Sequence, residues 1–457
     1  MGVLPAPIFS WGNPTAKDII PPRGYNAGTR FSRRFAMPGP LDGVKVVEFT
    51  EIIAGPFAGM LLSDMGADVI KVEPPWGDPW RGTQPISPTE SRVFIAYNRG
   101  KRSITLDLTT EAARDILGRL IPQMDVAIVN YRPDVAAKLG VDYESLAALN
   151  PRLIYCENTA FGRQGPDSYR PGYDLILQAM SGIMTSESKT SNGVPVHVVS
   201  SPMVDTSAGI CLAWCVCAAL FHRERTGKGQ KVETTLLGMA IALLGMRFVE
   251  VESLDRENFQ ATLESLAAMR GAGIPYDELL KIYESDHPVT PGNIYYRSYQ
   301  TADGAISVGC LSDPLRQRLL DTLNLTDIRF DPGYDPRSEE SVAFGAELVR
   351  QAEETFLQRT AADWLALLDE RGIPAGPVRF IEEVFDDPQV QANDLVSELE
   401  HLEVGPLRMV GPLAKFSETP LEATHPPALG QHTGEVLEEL GFGEGEIQEW
   451  RDQGALG

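Results

Sequence analysis

Apolar positions in the first part of the chain form short β-branched runs separated by stretches with helical spacing. Residues 44–49 and 67–73 are rich in Val and Ile and predict two strands. Between them, residues 56–65 predict a helix, with Pro56 suited to its first turn and Gly66 to its end. Because a strand–helix–strand unit pairs its strands in parallel, this pattern indicates an α/β sheet.

The same alternation of strands and helices continues downstream. Further strands are predicted at residues 104–108, 125–130, 151–157 and 231–235. A strongly apolar helix of about 18 residues is predicted to begin at Asp205. The pattern then changes at residues 292–309, which predict a β-hairpin with its turn at Asp303-Gly304 and indicate a second domain.

The chain length also predicts more than one domain, because 457 residues exceed what a single hydrophobic core usually organises. Residues 1–40 are rich in Pro and Gly and predict an irregular extension. We expect residues 41–235 to form the first part of a large domain. Connecting helices and a smaller domain are expected in residues 236–390, followed by a C-terminal segment in residues 391–457.

The overall charge excludes some classes of binding partner. The formal net charge is -23, which repels nucleic acid and anionic membranes. No uninterrupted apolar run reaches the roughly 20 residues of a membrane span, and the first residues do not resemble a secretory signal. Five Cys in so long a chain do not suggest a disulfide framework. We therefore expect a cytoplasmic protein that binds neither nucleic acid nor membrane.

Several cofactor classes lack their usual motifs. A glycine fingerprint for a dinucleotide is absent after the first strand, so neither a nicotinamide nor a flavin cofactor is expected. Cys211, Cys215 and Cys217 raise the alternative of a metal site. Since no His or carboxylate lies beside them, they are better interpreted as buried thiols of an apolar helix, and no metal is expected.

Two groups of basic or polar residues are candidate anion contacts. Arg99, Lys101 and Arg102 stand together before a predicted strand, in a chain that is otherwise acidic. They form either a solvated turn or a site for phosphate groups. Asn130 and Arg132 lie at the carboxyl end of a predicted strand, where open α/β sheets bind their ligands.

Asp205 is the candidate catalytic residue. Its position at the predicted start of the apolar helix allows two interpretations. Asp is a preferred N-cap, so the residue can be structural alone. Alternatively, the helix N-terminus keeps its carboxylate ionised, as a nucleophile requires.

The sequence resembles the class III CoA-transferase family, also called CaiB/BaiF, which includes α-methylacyl-CoA racemases. The resemblance extends from about residue 41 to the C-terminus. Its matching stretches are residues 41–49, 66–73, 98–103, 150–155, 172–174, 226–230, 301–304 and 374–378. Such a series of ordered matches is specific for the family but not for one substrate.

The resemblance implies a fold and an assembly. It implies a doubly wound, Rossmann-like large domain, a smaller α+β domain, and two chains threaded through each other as an interlocked homodimer. The N- and C-terminal parts of the chain are expected to build the large domain together.

The resemblance also implies the chemistry. Coenzyme A would pass from an acyl-CoA donor to a free carboxylic acid through an aspartyl mixed anhydride, with Asp205 as the nucleophile. The residues expected to contact coenzyme A are Ala54, Arg99, Lys101, Arg102, Asn130, Arg132, Lys138, Tyr173 and Asp174.

Two departures from the family pattern bear on function. The racemases have a His where this chain has Tyr173, and Tyr is a poor base near neutral pH. This favours transfer, with a 2-methylacyl-CoA racemase or epimerase as the alternative and a CoA-binding protein without turnover as a third. One member of the family, formyl-CoA transferase, also carries a run of glycines in the small domain that closes over the site, and the matching region here offers only Gly271-Ala272-Gly273.

Overall fold

The computed structural model describes residues 38–286, 293–330, 334 and 339–457. The predicted extension at residues 1–40 therefore lies almost entirely outside the described residues. The chain divides into two compact units. The larger unit contains the described residues up to Glu257 together with Ala392–Gly457, and the smaller unit contains those of Asn258–Gln391. The sequence placed the corresponding boundaries after residues 235 and 390.

The strands are short, and most lie in the larger unit. In chain order they are β1 Lys45–Phe49, β2 Asp68–Glu73, β3 Arg102–Thr105, β4 Val126–Val129, β5 Ile154–Thr159, β6 Thr190–Ser191, β7 Val194–Pro195, β8 Gln230–Thr235, β9 Tyr296–Gln300, β10 Ala305–Gly309, β11 Ala375–Pro377, β12 Val396–His401 and β13 Gly405–Val410.

The helices connect and cover these strands. In chain order they are α1 Ala54–Asp64, α2 Arg92–Asn98, α3 Glu111–Leu120, α4 Pro133–Leu139, α5 Tyr143–Leu149, α6 Asp174–Ser181, α7 Ile183–Ser186, α8 Met203–Thr226, α9 Leu236–Leu244, α10 Glu252–Gly271, α11 Tyr276–Asp286, α12 Asp313–Leu323, α13 Glu339–Phe356, α14 Ala361–Glu370, α15 Ile381–Val384, α16 Pro388–Ala392, α17 Thr433–Glu439 and α18 Glu444–Asp452.

The larger unit is built on a parallel sheet of six strands in the order β3-β2-β1-β4-β5-β8. Every pair of neighbours in it is parallel, with Val47 of β1 opposite both Ile70 of β2 and Ala127 of β4. The predicted α/β class with a parallel sheet is therefore confirmed. The strand order reverses between β1 and β4, and ligands of doubly wound sheets bind at such a switch point.

Helices cover both faces of this sheet, because successive strand residues point to opposite sides. Val46 packs in a core with Leu212 and Val216 of α8. Its neighbour Val47 packs in a separate core that contains Ile116 of α3 and Val436 of α17. The C-terminal helix α17 thus contributes to the same core as the first strand.

Helix α8 carries Asp205 and begins earlier than predicted. It starts at Met203, runs for 24 residues and ends before Gly227, whose φ of 74° suits a left-handed C-cap. The expected start at Asp205 and length of about 18 residues were therefore wrong. The helix is apolar and long enough to cross a membrane by composition, but half of its most apolar window is buried inside the protein.

Helix α8 packs closely on α1 through Gly209. A Cβ atom at this position would lie 2.8 Å from the Ala54 carbonyl oxygen and 3.0 Å from the Phe57 side chain. Real side-chain carbons do not approach backbone atoms so closely, so only glycine allows this contact. It brings the first turns of α1 and α8 together.

The smaller unit contains an antiparallel sheet in the order β11-β10-β9, with helices packed on it. Strands β9 and β10 pair around the predicted turn at Asp303-Gly304, which confirms the hairpin for its described residues; Gly292 lies outside them. Tyr299 stacks on Phe356, whose ring lies 4.7 Å from that of Trp364. These aromatic residues form the centre of the unit's core.

Candidate active site

A cavity of about 370 Å³ opens at the carboxyl ends of the central strands in the larger unit. Residues 51–54 after β1, residues 130–132 after β4 and residues 158–160 at the end of β5 line it. Tyr173 and Asp205 complete its wall. The cavity therefore lies at the switch point between β1 and β4, where the fold predicts a ligand.

Asp205 lies in the first turn of α8 and faces this cavity. Its side chain is buried, and no hydrogen bond among the described residues involves its carboxylate. Burial, reinforced by the negative charge of Asp174, raises the pKa of Asp205 to about 7. The helix N-terminus favours the ionised form by only about 0.3–1 kcal/mol, so burial outweighs it. The expectation that the helix end keeps Asp205 ionised is corrected accordingly.

Asp174, rather than Asp205, caps α8. Its Oδ2 accepts hydrogen bonds from the backbone N–H groups of Val204 at 2.7 Å and Asp205 at 3.2 Å. Pro202, the N-cap residue by position, has no side chain that can do so. The predicted capping role of Asp205 was therefore wrong, because a carboxylate from α6 already satisfies these donors. The same contact brings two carboxylates together at one helix end.

The loop between β1 and α1 is held by Asn130. Its Oδ1 accepts from the Glu51 amide at 2.9 Å, and its Nδ2 donates to the Glu51 carbonyl at 2.7 Å. The next residue, Ile52, has a φ of 72°, which is strained for a β-branched side chain. Asn130 thus fixes the loop that presents Ala54, the first residue of α1, to the cavity.

Three further predicted contacts lie at or beyond the rim. Arg132 lines the cavity with its side chain half exposed and pairs with Asp134 at 3.2 Å. Tyr173 lines it with 61% of its surface exposed. Lys138 lies exposed near the end of α4, six residues after Arg132, and does not line the cavity.

Arg99 is fully buried and pairs with an acidic residue. Its guanidinium donates to Asp64 at 2.6 and 2.9 Å and to the Val410 carbonyl at 2.5 Å. It therefore connects the end of α1 to β13. Removing one partner of such a buried pair typically costs about 3–5 kcal/mol of stability, so a structural role accounts for this arginine.

Lys101 and Arg102 are also engaged by acidic residues. Lys101 Nζ donates to Glu48 Oε1 at 2.8 Å, and burial lowers the pKa of Lys101 to about 8. Arg102 pairs with Asp68 at 2.6 Å and Glu439 at 2.9 Å. Neither residue lines the cavity.

The interpretation of Arg99, Lys101 and Arg102 as a phosphate site is therefore corrected. The prediction failed because local sequence does not show the acidic residues that the fold brings to them from α1, β1, β2 and α17. These partners neutralise the cluster, and the structure does not bring it to the cavity. Of the ten predicted site residues, the structure gathers Ala54, Asn130, Arg132, Tyr173, Asp174 and Asp205.

Tyr97 is a residue of the site that the sequence did not reveal. Burial, followed by the charges of Asp205 and Asp174, raises the pKa of Tyr97. Its ring meets Phe57 edge-on, with centroids 5.7 Å apart, and Phe57 in turn packs at Gly209, one turn beyond Asp205. The one available signal was its place two residues before Arg99, immediately before the family-like stretch at residues 98–103.

The described residues contain no group of three or more His, Cys, Asp or Glu side chains suited to a metal ion. The groups at the cavity are instead the carboxylates of Glu51 and Asp205 with Asp174 beside them, the phenols of Tyr131 and Tyr173, the first turns of α1 and α8, and Arg132 at the rim. A buried carboxylate without hydrogen bonds is a poorly solvated base and nucleophile.

The raised pKa of Asp205 predicts a stability effect that is independent of any substrate. Below about pH 3.9 the carboxyl is protonated in both the folded and unfolded states. As pH rises towards about 7, ionisation favours the unfolded state. The variant Asp205→Asn avoids this loss, which is on the order of 4 kcal/mol at about 1.4 kcal/mol per pKa unit.

Urea denaturation between pH 4 and 8 measures this effect. We expect the stability of Asp205→Asn relative to the natural protein to increase through this range and to level off above pH 7. The control is Asp115→Asn, which removes a carboxylate from the exposed face of α3. If the stability of Asp205→Asn relative to the natural protein does not change with pH, the pKa of the Asp205 carboxyl is not raised.

Comparison with known proteins identifies the family. The family model described as CoA-transferase family III matches residues 41–433. A succinate–glutarate CoA-transferase of Agrobacterium fabrum is 35% identical, covering 88% of this chain and 96% of its own. A succinyl-CoA:glutarate CoA-transferase of Mus musculus is 34% identical, covering 91% and 90%.

A solved structure supports the same assignment. The crystal structure of a CAIB/BAIF family protein from Brucella suis is 31% identical with a TM-score of 0.67. It covers 88% of this chain and all of its own. These matches confirm the resemblance inferred from sequence motifs: the chain belongs to CoA-transferase family III.

Proposed function

We propose that this enzyme moves coenzyme A from an acyl-CoA donor to a free carboxylic acid, with Asp205 as the covalent nucleophile. The observation that carries the proposal is a buried carboxylate without hydrogen bonds in the described structure, facing a cavity at the switch point of the sheet. Membership of a CoA-transferase family supports the reaction class, and the aspartyl intermediate is proposed from the family resemblance, with which the position of Asp205 at the cavity agrees.

The first half of the proposed reaction forms an anhydride. An Asp205 carboxylate oxygen attacks the thioester carbonyl carbon, the C–S bond breaks, and coenzyme A leaves as a thiolate. The thiolate attacks the Asp205 carbonyl carbon and releases the donor acid as a carboxylate, leaving an aspartyl thioester. The donor acid thus leaves with one oxygen that came from Asp205.

The second half repeats these steps in reverse with the acceptor. The acceptor carboxylate attacks the aspartyl thioester, the thiolate leaves again, and a second mixed anhydride forms. Attack of the thiolate on the acceptor carbonyl gives the new acyl-CoA and regenerates the Asp205 carboxylate. Charge and atoms balance without an oxidant, a metal ion, a nicotinamide or a flavin.

The electrostatics of the site support these steps. The raised pKa of Asp205 makes its ionised form a stronger nucleophile than an exposed carboxylate. Near pH 7 the Asp205 carboxyl is ionised in only about half of the protein molecules. Ala54 lies at the start of α1, where backbone N–H groups have no partners within the helix. Donors of this kind stabilise the oxyanion that develops during acyl transfer.

The coenzyme A contacts are proposed to follow the loops at the switch point. Ala54 and Asn130 would approach the thioester end through backbone and loop atoms, and Tyr173 and Asp174 would shape the same region. Arg132 and Lys138 remain the candidates for the phosphate groups, because both carry exposed cationic side chains on the loop and helix after β4.

The acceptor is proposed to be a dicarboxylic acid. Two relatives are named for succinate or succinyl-CoA and glutarate. Succinyl-CoA with a panel of dicarboxylic, monocarboxylic and 2-hydroxy acids is therefore the first screen for transfer.

Mass spectrometry after incubation with acyl-CoA tests the nucleophile. We expect a covalent adduct on the peptide containing Asp205, and its rate of formation should rise with pH through about 7 as the carboxylate ionises. Asp205→Ala should form no adduct, and the exposed-residue variant Asp115→Ala should form it at the normal rate.

Two outcomes would overturn this proposal. An adduct that persists on intact Asp205→Ala would remove Asp205 from the reaction. Exchange of the α-proton of a 2-methylacyl-CoA with deuterated water, without any acceptor acid, would favour a racemase instead, for which a carboxylate with a pKa near 7 is also a suitable base.

The protein is further proposed to act as an interlocked homodimer in the cytoplasm. Ile210, Trp214 and Phe221 form an exposed apolar stripe along α8, and Met246 after α9 is 88% exposed. Exposed apolar surface of this kind marks a protein interface. A second copy would cover it, in agreement with the assembly implied by the family resemblance.

The mass in solution tests this assembly. Light scattering should give twice the mass of one chain at all dilutions, because threaded chains do not separate without unfolding. Trp214→Glu should lower the temperature at which the dimer unfolds, because the threaded chains cannot separate while folded, whereas Leu149→Glu, at an exposed apolar residue of α5, should not. A folded single chain on dilution would contradict interlocking.

A further inference from the structure

Gln178 lies at the centre of a hydrogen-bond network behind the two carboxylates. It is fully buried and stands one helical turn after Asp174 on α6. Its Nε2 donates to Asp174 Oδ1 at 2.5 Å, and its Oε1 accepts from the Val198 amide at 2.9 Å. Both ends of the side-chain amide are therefore used.

This network connects three segments of the site. Val198 belongs to the extended stretch that leads into α8. Asp174, held on one oxygen by Gln178, uses its other oxygen to bind the amides of Val204 and Asp205. One buried amide thus links α6, the chain before α8 and the first turn of α8.

The orientation of this amide is fixed by its partners. The Val198 N–H needs an acceptor and the Asp174 carboxylate needs a donor, so a reversed amide would leave both unsatisfied. Glu at this position would keep the acceptor and lose the donor. Met would keep the approximate volume and lose both hydrogen bonds.

We propose that Gln178 is a positioning residue for acyl transfer, which orients Asp174 and the approach to α8 so that Asp205 faces the thioester. The inference rests on the proposed function of Asp205. Its effect is indirect, because Gln178 contacts Asp174 and not the cavity.

Position matters here because the two carboxylates repel each other. Among the described residues, the charge of Asp174 from α6 acts on Asp205, Asp205 in turn acts on Tyr97 of α2, and Glu51 lines the same cavity from the loop after β1. The neighbouring α9 contributes apolar residues, and Asp64 of α1 is paired with Arg99 away from the site. Movement of Asp174 therefore changes the charge that Asp205 experiences.

Steady-state kinetics of Gln178→Met and Gln178→Glu test the proposal. For both variants we expect kcat to fall about 10- to 100-fold, the effect of losing one or two buried hydrogen bonds at a reacting group. KM for acyl-CoA should change by less than about threefold, since Gln178 does not line the cavity. A new carboxylate in Gln178→Glu should also move the acidic limb of the pH–kcat profile to higher pH.

Asn150→Leu is the matched control. The Asn150 amide makes three hydrogen bonds, to the Ile121 and Met124 carbonyls and from the Arg152 amide, and it does not line the cavity. We expect this variant to lose stability without a change in the pH–kcat profile. An equal shift of the profile in Asn150→Leu would overturn the specific role of Gln178.

The remaining outcomes separate this inference from the proposed function. If Asp205 forms its adduct and both folded Gln178 variants keep kcat and the pH profile within twofold, the positioning role is wrong and the nucleophile stands. If the natural protein forms no adduct, the proposed function is wrong. If Gln178→Met does not fold, as judged by circular dichroism, Gln178→Glu decides the question alone.

Discussion

The structure of the site depends on one contact, the hydrogen bonds from the first turn of α8 to the carboxylate of Asp174. This contact satisfies the free amides of the helix that carries Asp205, so it stabilises the helix start. It also places a second negative charge beside a buried carboxyl group, which opposes the ionisation of Asp205. One interaction therefore provides both the stability of the helix and the unusual chemistry of its first turn.

The parallel sheet determines where this contact lies in the larger unit. Because the helices that follow β1 and β4 lie on opposite faces of the sheet, the loops after these strands leave a cavity, and α1 and α8 start beside it. Gly209 allows these helices to approach closely, and Asn130 holds the strained loop at Ile52. Buried ion pairs such as Arg99 with Asp64 stabilise the larger unit away from the cavity.

Local sequence predicts much of this arrangement, but not all of it. Strand and helix periodicity predicts the parallel sheet, and the Asp303-Gly304 turn predicts the hairpin, because short-range geometry decides both. The roles of Arg99 and Asp205 depend on residues far away in the chain, Asp64 and Asp174. Local pattern therefore left Arg99 as either part of a solvated turn or a phosphate contact, and Asp205 as either an N-cap or a nucleophile. Nothing in the sequence distinguishes a buried, paired cation from an exposed one.

The covalent role of Asp205 can be tested most directly with an acceptor acid labelled with oxygen-18 in both carboxylate positions. During turnover with unlabelled acyl-CoA, the bridging oxygen of the second anhydride remains on Asp205 when the new thioester leaves. Peptide mass spectrometry should therefore find one oxygen-18 atom in the peptide that contains Asp205 after a single turnover and up to two after repeated turnovers, and only when both substrates are present. Complete turnover with no label in that peptide would mean that the acyl group never passes through Asp205.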